Sequence, residues 1–536
     1  MSHFKPRTLS DISLSLSVAL APSSNGRFVV RHVNPNEPFF YLADTAWELF
    51  HQLDDAEAET YLRNRADKGF NVILIVILAE QDGLVLPNRD GALPLQTPIE
   101  LLADGGSLGP KSLNPNYFAF IDRILPLAAS LGLTVALVPT WGRYINGGLH
   151  EGPVIFNETN AYEYGLFLGE RYPFHPFILG GDTNRYWNMK APKAVEAGED
   201  VTLLKVHDCG RITENMTRGI AEGEKRAVQA LPADIKAKVK DYQSFMAYHS
   251  TQGWLPSAPP ASGSAQFPAA SWLSLDGVQT GHSDTQFNEN LEPSKNVKMW
   301  RSRSPYLPIR QMYNTPRPDG RPRPVIDLEP HYEATHYKFN RDLPIWDDAD
   351  IRNGAWQSLF AGACGYTYGC NSIWQFHNPE SKTHPPITGI CAYTPWYLEL
   401  DLPGAFQVAL MRKIMLSLPN YFTRVPDQSF IVSPTGESDG KSEAGDALIS
   451  GTRAQGWAMV HLPHGGEVEV DLVRALGPSG SWTACWVDTK CGERSGSDSG
   501  NFGSRTRKFL PPKRLDKSQD WLLLLEHVSL SPPPVV

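Results

Sequence analysis

At 536 residues the chain is longer than one ordinary domain. Its 41% hydrophobic content, with 14 Trp, 19 Tyr and 23 Phe, supplies a large core and aromatic-lined clefts and argues against extensive disorder. A net charge of −9 without a basic, aromatic-interleaved stripe argues against nucleic acid. No apolar run reaches the ~20 residues of a membrane span, and sparse Cys without CxxC argues against a thiolate metal site.

Near the start, Ile12, Leu14, Leu16 and Val18 alternate with Ser13, Ser15 and Ser17. That period of two predicts a half-buried strand leading to the Asn25-Gly26-Arg27 turn, in preference to a cleaved signal peptide. The expected compartment is therefore the cytoplasm, with secretion as the alternative. Strands at Phe28-Val29-Val30 and 39–44 are predicted on either side of a loop at Asn34-Pro35-Asn36. Asp54 or Asp55 caps a helix that Gly69 stops. Residues 70–78 are almost continuously apolar, as in a strand buried on both faces of a parallel sheet. A helix begins at Asn114-Pro115 and ends at Gly132, followed by strand 133–138, helical spacing over 160–171 and strand 177–181.

Residues 190–240 are charged and read as an insertion on the upper face of the fold. Strands 244–249, 277–280, 324–329 and 363–368 follow, the last preceded by a helix capped by Asp347 or Asp348. The segments 254–270 and 316–324, rich in Pro, Gly and Ser, read as loops. Eight buried strands with helices between several of them make an α/β fold, a (β/α)8 TIM barrel. From residue 425 short strands alternate with Gly/Ser turns at 429–432, 447–449, 457–462, 467–472, 482–487 and 521–525, the pattern of a β-sandwich. The predicted division is a barrel over 1–424, with an N-terminal strand extension and the 190–240 insertion, and an accessory sandwich over 425–536. Cys485 and Cys491 flank a short segment and could pair; free buried thiols fit equally.

Two strands end in carboxylates. Phe177-Ile178-Leu179-Gly180-Gly181 delivers Asp182, and Pro324-Val325-Ile326-Asp327-Leu328 delivers Glu329. Barrel enzymes keep their catalytic groups at the C-terminal ends of strands. Two carboxylates there suit glycosidic bond cleavage, one protonating the leaving oxygen and the other attacking or guiding water. Gly180 and Gly181 would let the backbone approach a ligand closely. An Asx turn for Asp182 and a surface ion pair for Glu329 are the plainer alternatives. Further polar and aromatic residues at strand ends, Asp44, Trp47, Glu80, Asp82, Trp141, His249, Gln279, His282 and Trp374, are the expected substrate-binding set for a sugar. Glu329, His331, Glu333 and His336 resemble a ligand cluster but lack a companion pair, so no metal is expected. Gly105-Gly106-Ser107-Leu108-Gly109 matches G-x-S-x-G without a strand to feed it. Gly436 to Ser442 is one residue short of a phosphate loop. The expectation is no cofactor, a carbohydrate partner, no nucleic acid and no membrane.

The stretches 39–50, Lys68-Gly69-Phe70-Asn71-Val72, Ala79-Glu80-Gln81-Asp82-Gly83, Pro139-Thr140-Trp141-Gly142, Leu179-Gly180-Gly181-Asp182 and Ile373-Trp374-Gln375-Phe376 resemble the apiosidase-like glycoside hydrolases, over residues 24–420. The sandwich is similar to a collagen-binding-type β domain found in the same proteins. The resemblance implies a retaining, exo-acting hydrolase with Asp182 as acid/base and Glu329 as nucleophile. The 190–240 and 254–270 segments depart from the family's pattern and would border the cleft, so the resemblance does not carry over a preference for apiose. The rival expectation is a catalytically silent, glycan-binding barrel.

Overall fold

The computed structural model describes residues 4–251, 255, 258–281, 305–381, 390, 392–435, 448–502, 505–513 and 520–528. The backbone forms two compact units, one of Met1–Gln279, Thr315–Pro324 and Gly369–Leu400, the other of Thr280–Asn314, Val325–Tyr368 and Asp401–Val536.

Eight strands make one sheet: β1 (Tyr41–Thr45), β2 (Val72–Leu78), β3 (Thr134–Thr140), β4 (Phe177–Gly180), β5 (Met246–His249), β6 (Leu273–Val278), β7 (Val325–Asp327) and β8 (Gly365–Tyr368). Their order is β7-β6-β5-β4-β3-β2-β1-β8, and the pairs from β1 through β6 are parallel. The N–H of Cys364, at the entry to β8, donates to the Val325 carbonyl of β7 at 2.9 Å, bringing the two ends of that order together. This is the near-closed parallel sheet of a TIM barrel. Every residue of these strands is buried, which is why Val72–Leu78 reads as an unbroken apolar run rather than an alternating one. The sixth strand lies earlier than its expected 277–280, so Gln279 and Thr280 stand just beyond its end.

The N-terminal strand predicted over 12–18 is instead a helix, Leu9–Ser17. Thr8 accepts the Asp11 N–H while the Asp11 carboxylate accepts the Thr8 N–H, a reciprocal cap that starts a helix whatever the alternation behind it. The residues read as a loop at 34–36 belong to a strand, Asn34–Phe39, in a small antiparallel sheet with Leu20–Pro22 and Val29–Arg31.

Much of the 190–240 stretch is one helix, Gly210–Ala230, standing between β4 and β5. It packs backbone to backbone against Glu158–Arg171. A Cβ on Gly165 would lie 2.3 Å from the Met216 carbonyl oxygen, and one on Gly169 would lie 2.0 Å from that of Ile220. From the other side, Gly219 meets the Tyr162 oxygen at 2.3 Å and Gly223 that of Leu166 at 2.2 Å. Gly169→Leu is expected to lower stability by about 2 kcal/mol, because overpacking outweighs the gain in helix propensity. A urea midpoint at the wild-type value would show that the helices part without cost.

In the second unit the helix Asp348–Ala361 has no solvent face: every residue from Asp350 to Ala361 is buried. It contacts β8, the helices Tyr306–Asn314 and Pro403–Ser417, and the strand Ser450–Ala454. Its Arg352 is 1% exposed and is held by the Asp520 carboxylate at 2.9 and 3.0 Å, by Gln407 Oε1 at 2.7 Å and by Asp348. Thr489 donates to the same Asp520 at 2.6 Å. Arg424 donates to the Leu359 and Ala363 carbonyls at the helix's C-terminal end, at 2.7 and 2.6 Å.

The C-terminal region is an antiparallel sheet in the order Val425–Pro426, Ser450–Ala454, Trp457–Leu462, Trp521–His527, Ser481–Asp488, Arg494–Asn501. A ribbon of Val468–Asp471 and Thr506–Phe509 accompanies it. Ala458, Val460, Leu462, Trp482, Ala484, Trp486, Leu523 and Leu525 of the sheet share one core with Val468, Val470 and Phe509 of the ribbon. Alternate residues of these strands point into that core, while Trp457–Leu462 is buried along its whole length. The expected strand at 429–432 is reduced to a bridge from Ile431 to Val470, and the one at 447–449 gives way to Ser450–Ala454. Cys485 and Cys491 are both free thiols.

Candidate active site

In the first unit the site is built around the end of β4. Gly180 and Gly181 both take positive φ, at 97° and 82°, and Asp182 itself sits at 44°. These glycines do not make room for a ligand, as their position had suggested. A Cβ on Gly180 would lie 2.3 Å from the His249 carbonyl oxygen, and one on Gly181 2.6 Å from the Trp141 ring. They let β4 turn tightly between β5 and the Trp141 loop, with the Gly181 N–H on the His249 carbonyl at 3.0 Å and the Gly142 N–H on the Gly181 carbonyl at 2.8 Å. A left-handed conformation is uncommon for a side-chain-bearing residue and recurs at functional sites. At Asp182 it is fixed by these neighbours on both sides.

Gln279 Nε2 donates to Asp182 Oδ1 at 2.8 Å. His249 is wholly buried, with a ring nitrogen within 4.8 Å of an Asp182 carboxylate oxygen. Trp47, Trp141 and His249 form an aromatic cluster with centroids 5.2 Å (Trp47–Trp141), 5.6 Å (Trp47–His249) and 5.8 Å (Trp141–His249) apart. With Gly181 also against its ring, Trp141 has little face left for a sugar, but its indole N–H is free. Among the described residues, the buried Trp141 Nε1 and Gln279 Oε1 have no hydrogen-bond partner, leaving one donor and one acceptor beside Asp182. Buried polar groups left unpaired are costly, and hydroxyls complement both. Trp374 is buried in the same unit, its indole on Asn371 Oδ1 at 3.3 Å and its carbonyl accepting the N–H of Glu48, the residue after Trp47, at 3.1 Å.

Other expected binding residues are used differently. Asp44 is fully buried and takes the Arg65 guanidinium at 2.5 Å and the Tyr61 hydroxyl at 2.7 Å, so it braces β1 against the helix Asp55–Lys68 instead of lining a cleft. Burial raises its pKa, and Arg65 works against that rise. Asp82 is exposed and paired with Arg143 at 3.3 Å, on the surface side of the loop after β2. Glu80 is buried, with Gln81 Nε2 on its carboxylate at 3.5 Å. His282 lies outside the described residues. Ser107 of the G-x-S-x-G string donates to Glu163 at 2.7 Å and is a loop tether. Glu48, unforeseen from sequence, is wholly buried between the Gln81 N–H at 3.1 Å and His51 Nδ1 at 3.0 Å.

In the second unit Glu329 is 4% exposed, two residues past the end of β7, its carbonyl taking the Gly281 N–H at 3.0 Å. Asp327 was also missed. Its Oδ1 accepts the Glu329 and Thr280 N–H groups, both at 3.3 Å, and its Oδ2 accepts the Thr280 hydroxyl at 2.5 Å. Burial pushes the Asp327 carboxyl up to about 7, with the Glu329 charge adding to the rise. The neighbouring His331, Glu333 and His336 have other duties. His331 stacks on Trp346 with centroids 3.9 Å apart, Glu333 takes the Tyr368 hydroxyl at 2.6 Å and the Gly404 N–H at 3.0 Å, and His336 Nδ1 bonds the Leu343 carbonyl at 2.7 Å.

Comparison with known proteins gives the same enzyme class. The family described as "Apiosidase-like, catalytic domain" matches residues 23–422, and "Putative collagen-binding domain of a collagenase" matches 425–526. A solved structure titled "Glycoside hydrolase" is 26% identical with a TM-score of 0.71, over 96% of this chain and 98% of that one. A glycoside hydrolase family 5 structure from Bacteroides vulgatus ATCC 8482, 23% identical, shares the fold at a TM-score of 0.70, over 96% of this chain and 93% of that one. No curated protein matches the chain. The chain belongs to the apiosidase-like catalytic-domain family and is a glycosidase.

Proposed function

We propose that this glycosidase is retaining and exo-acting and removes terminal sugars, apiose-like or other, from a complex glycan by double displacement. Asp182 is the acid/base and Glu329 the nucleophile. The observation that carries this reading is that each carboxylate is held by hydrogen bonds within its own unit. Gln279 holds the Asp182 side chain, and Thr280 holds Asp327, which takes the Glu329 N–H. Each carboxylate is thus held by neighbours within its own unit, as a mechanism that relies on positioned carboxylates requires. Trp47, Glu80, Trp141, His249, Gln279 and Trp374 form the binding set. The free Trp141 N–H and Gln279 carbonyl suit hydroxyl recognition, and Trp47 lends apolar surface.

The test is a nitrophenyl glycoside panel with ¹H NMR of the first-formed sugar. Retention of the substrate's anomeric configuration is expected; the opposite anomer would rule out double displacement. EDTA should leave turnover unchanged. Loss of activity in EDTA, restored by a divalent cation, would recast Asp182 and His249 as metal ligands.

A further inference from the structure

Asp327 takes no part in the two-carboxylate scheme, yet it is wholly buried one residue before the strand exit that carries Glu329. An ionisable group is seldom kept in such a place without a task. Its three hydrogen bonds run to only two residues, Thr280 of the neighbouring strand end and Glu329. The first contact on Glu329 is local, an acceptor two residues back. The contacts on Thr280 join residues 47 positions apart in sequence. The peptide of Glu329 is therefore fastened through one carboxyl group to Thr280.

We infer that Asp327 is a positioning residue for Glu329, anchoring its peptide to Thr280 through the Thr280 hydroxyl and N–H. The inference rests on Glu329 being the nucleophile. Asp327 touches no reacting atom in this account. It fixes where the Glu329 carboxylate starts from, and misplacing a reacting group by about 1 Å costs about 10²-fold in rate. A full charge on Asp327 is not needed. Its carboxyl is pushed up to about 7 by burial, with the Glu329 charge adding. The Tyr366 hydroxyl of β8 also feels its charge; burial raises the Tyr366 pKa, with Asp327 and Glu333 contributing. An amide in place of the acid keeps an oxygen for the two N–H groups and can donate to the Thr280 oxygen, reversing that one bond.

The experiment compares wild type, Asp327→Ala, Asp327→Asn and Thr280→Val on the best aryl glycoside of the panel. Circular dichroism melts identify the folded fraction, and labelling with the matching 2-deoxy-2-fluoro glycoside measures the first chemical step. For Asp327→Ala, kcat and the labelling rate are expected to fall about 10²-fold with KM within about twofold. Asp327→Asn should recover most of that loss, and Thr280→Val should fall between them. Wild-type rates in folded Asp327→Ala and Thr280→Val, or equal losses in Asp327→Ala and Asp327→Asn, would overturn the inference. If Asp327→Ala does not fold, Thr280→Val and Asp327→Asn decide alone. Label on a carboxylate other than Glu329, or no wild-type turnover on any glycoside, would instead overturn the functional reading beneath it.

Discussion

Asp182→Asn is expected to fold like the wild type and to lose about 10²–10⁴-fold in kcat, the usual contribution of a positioned general acid/base. The fold should survive because the asparagine oxygen still accepts Gln279 Nε2. Positive φ is also tolerated better by asparagine than by most side chains. The loss should grow with the basicity of the leaving group: a nitrophenolate departs with little protonation, an alkyl alcohol does not. A flat dependence on leaving group across that series would remove Asp182 from the acid role. Sugar binding without turnover in both wild type and variant would make the barrel a glycan receptor.

The second large effect concerns stability. Asp520→Ala leaves the Arg352 guanidinium, 1% exposed, without its bidentate carboxylate. Breaking a buried ion pair from one side costs about 3–5 kcal/mol, because the remaining charge is stranded. Asp348 and Gln407 also reach Arg352 and hold the loss toward the lower figure. Removal of 425–536 should do worse, since it takes away Asp520 and also exposes the face of Asp348–Ala361 that Ser450–Ala454 covers. An insoluble or unfolded truncation is expected. A soluble truncation melting at the wild-type temperature would show that the C-terminal sheet is a separate appendage.

The barrel strands were legible in the sequence because burial on both faces leaves an apolar run that needs no partner to interpret. What failed depended on partners far along the chain. Asp44 at the end of a strand looks like a cleft residue until Arg65 and Tyr61, on the next helix, are seen to occupy it. Gly180 and Gly181 announce a close approach but not what approaches, and the occupants are a backbone and an indole. The helix at 9–17 was hidden by a serine alternation, although Thr8 and Asp11 spelled its cap. Asp327 could have been found, since the strand expected over 324–329 puts it two residues before Glu329 and so on the same face. The helix Asp348–Ala361 showed its caps but no polar face, because nothing around it is solvent.

That helix also says when the second unit can be completed. A chain leaves the ribosome from its N-terminus, and Arg352 emerges long before Asp520, 168 positions later. Until then the guanidinium must stay hydrated and the helix around it uncovered, so this unit cannot close during synthesis as an N-terminal domain ordinarily does. Its folding waits on nearly the last strand to be made. A nascent chain stalled before Asp520 should be cut by protease within 348–361, and the released full-length chain should not.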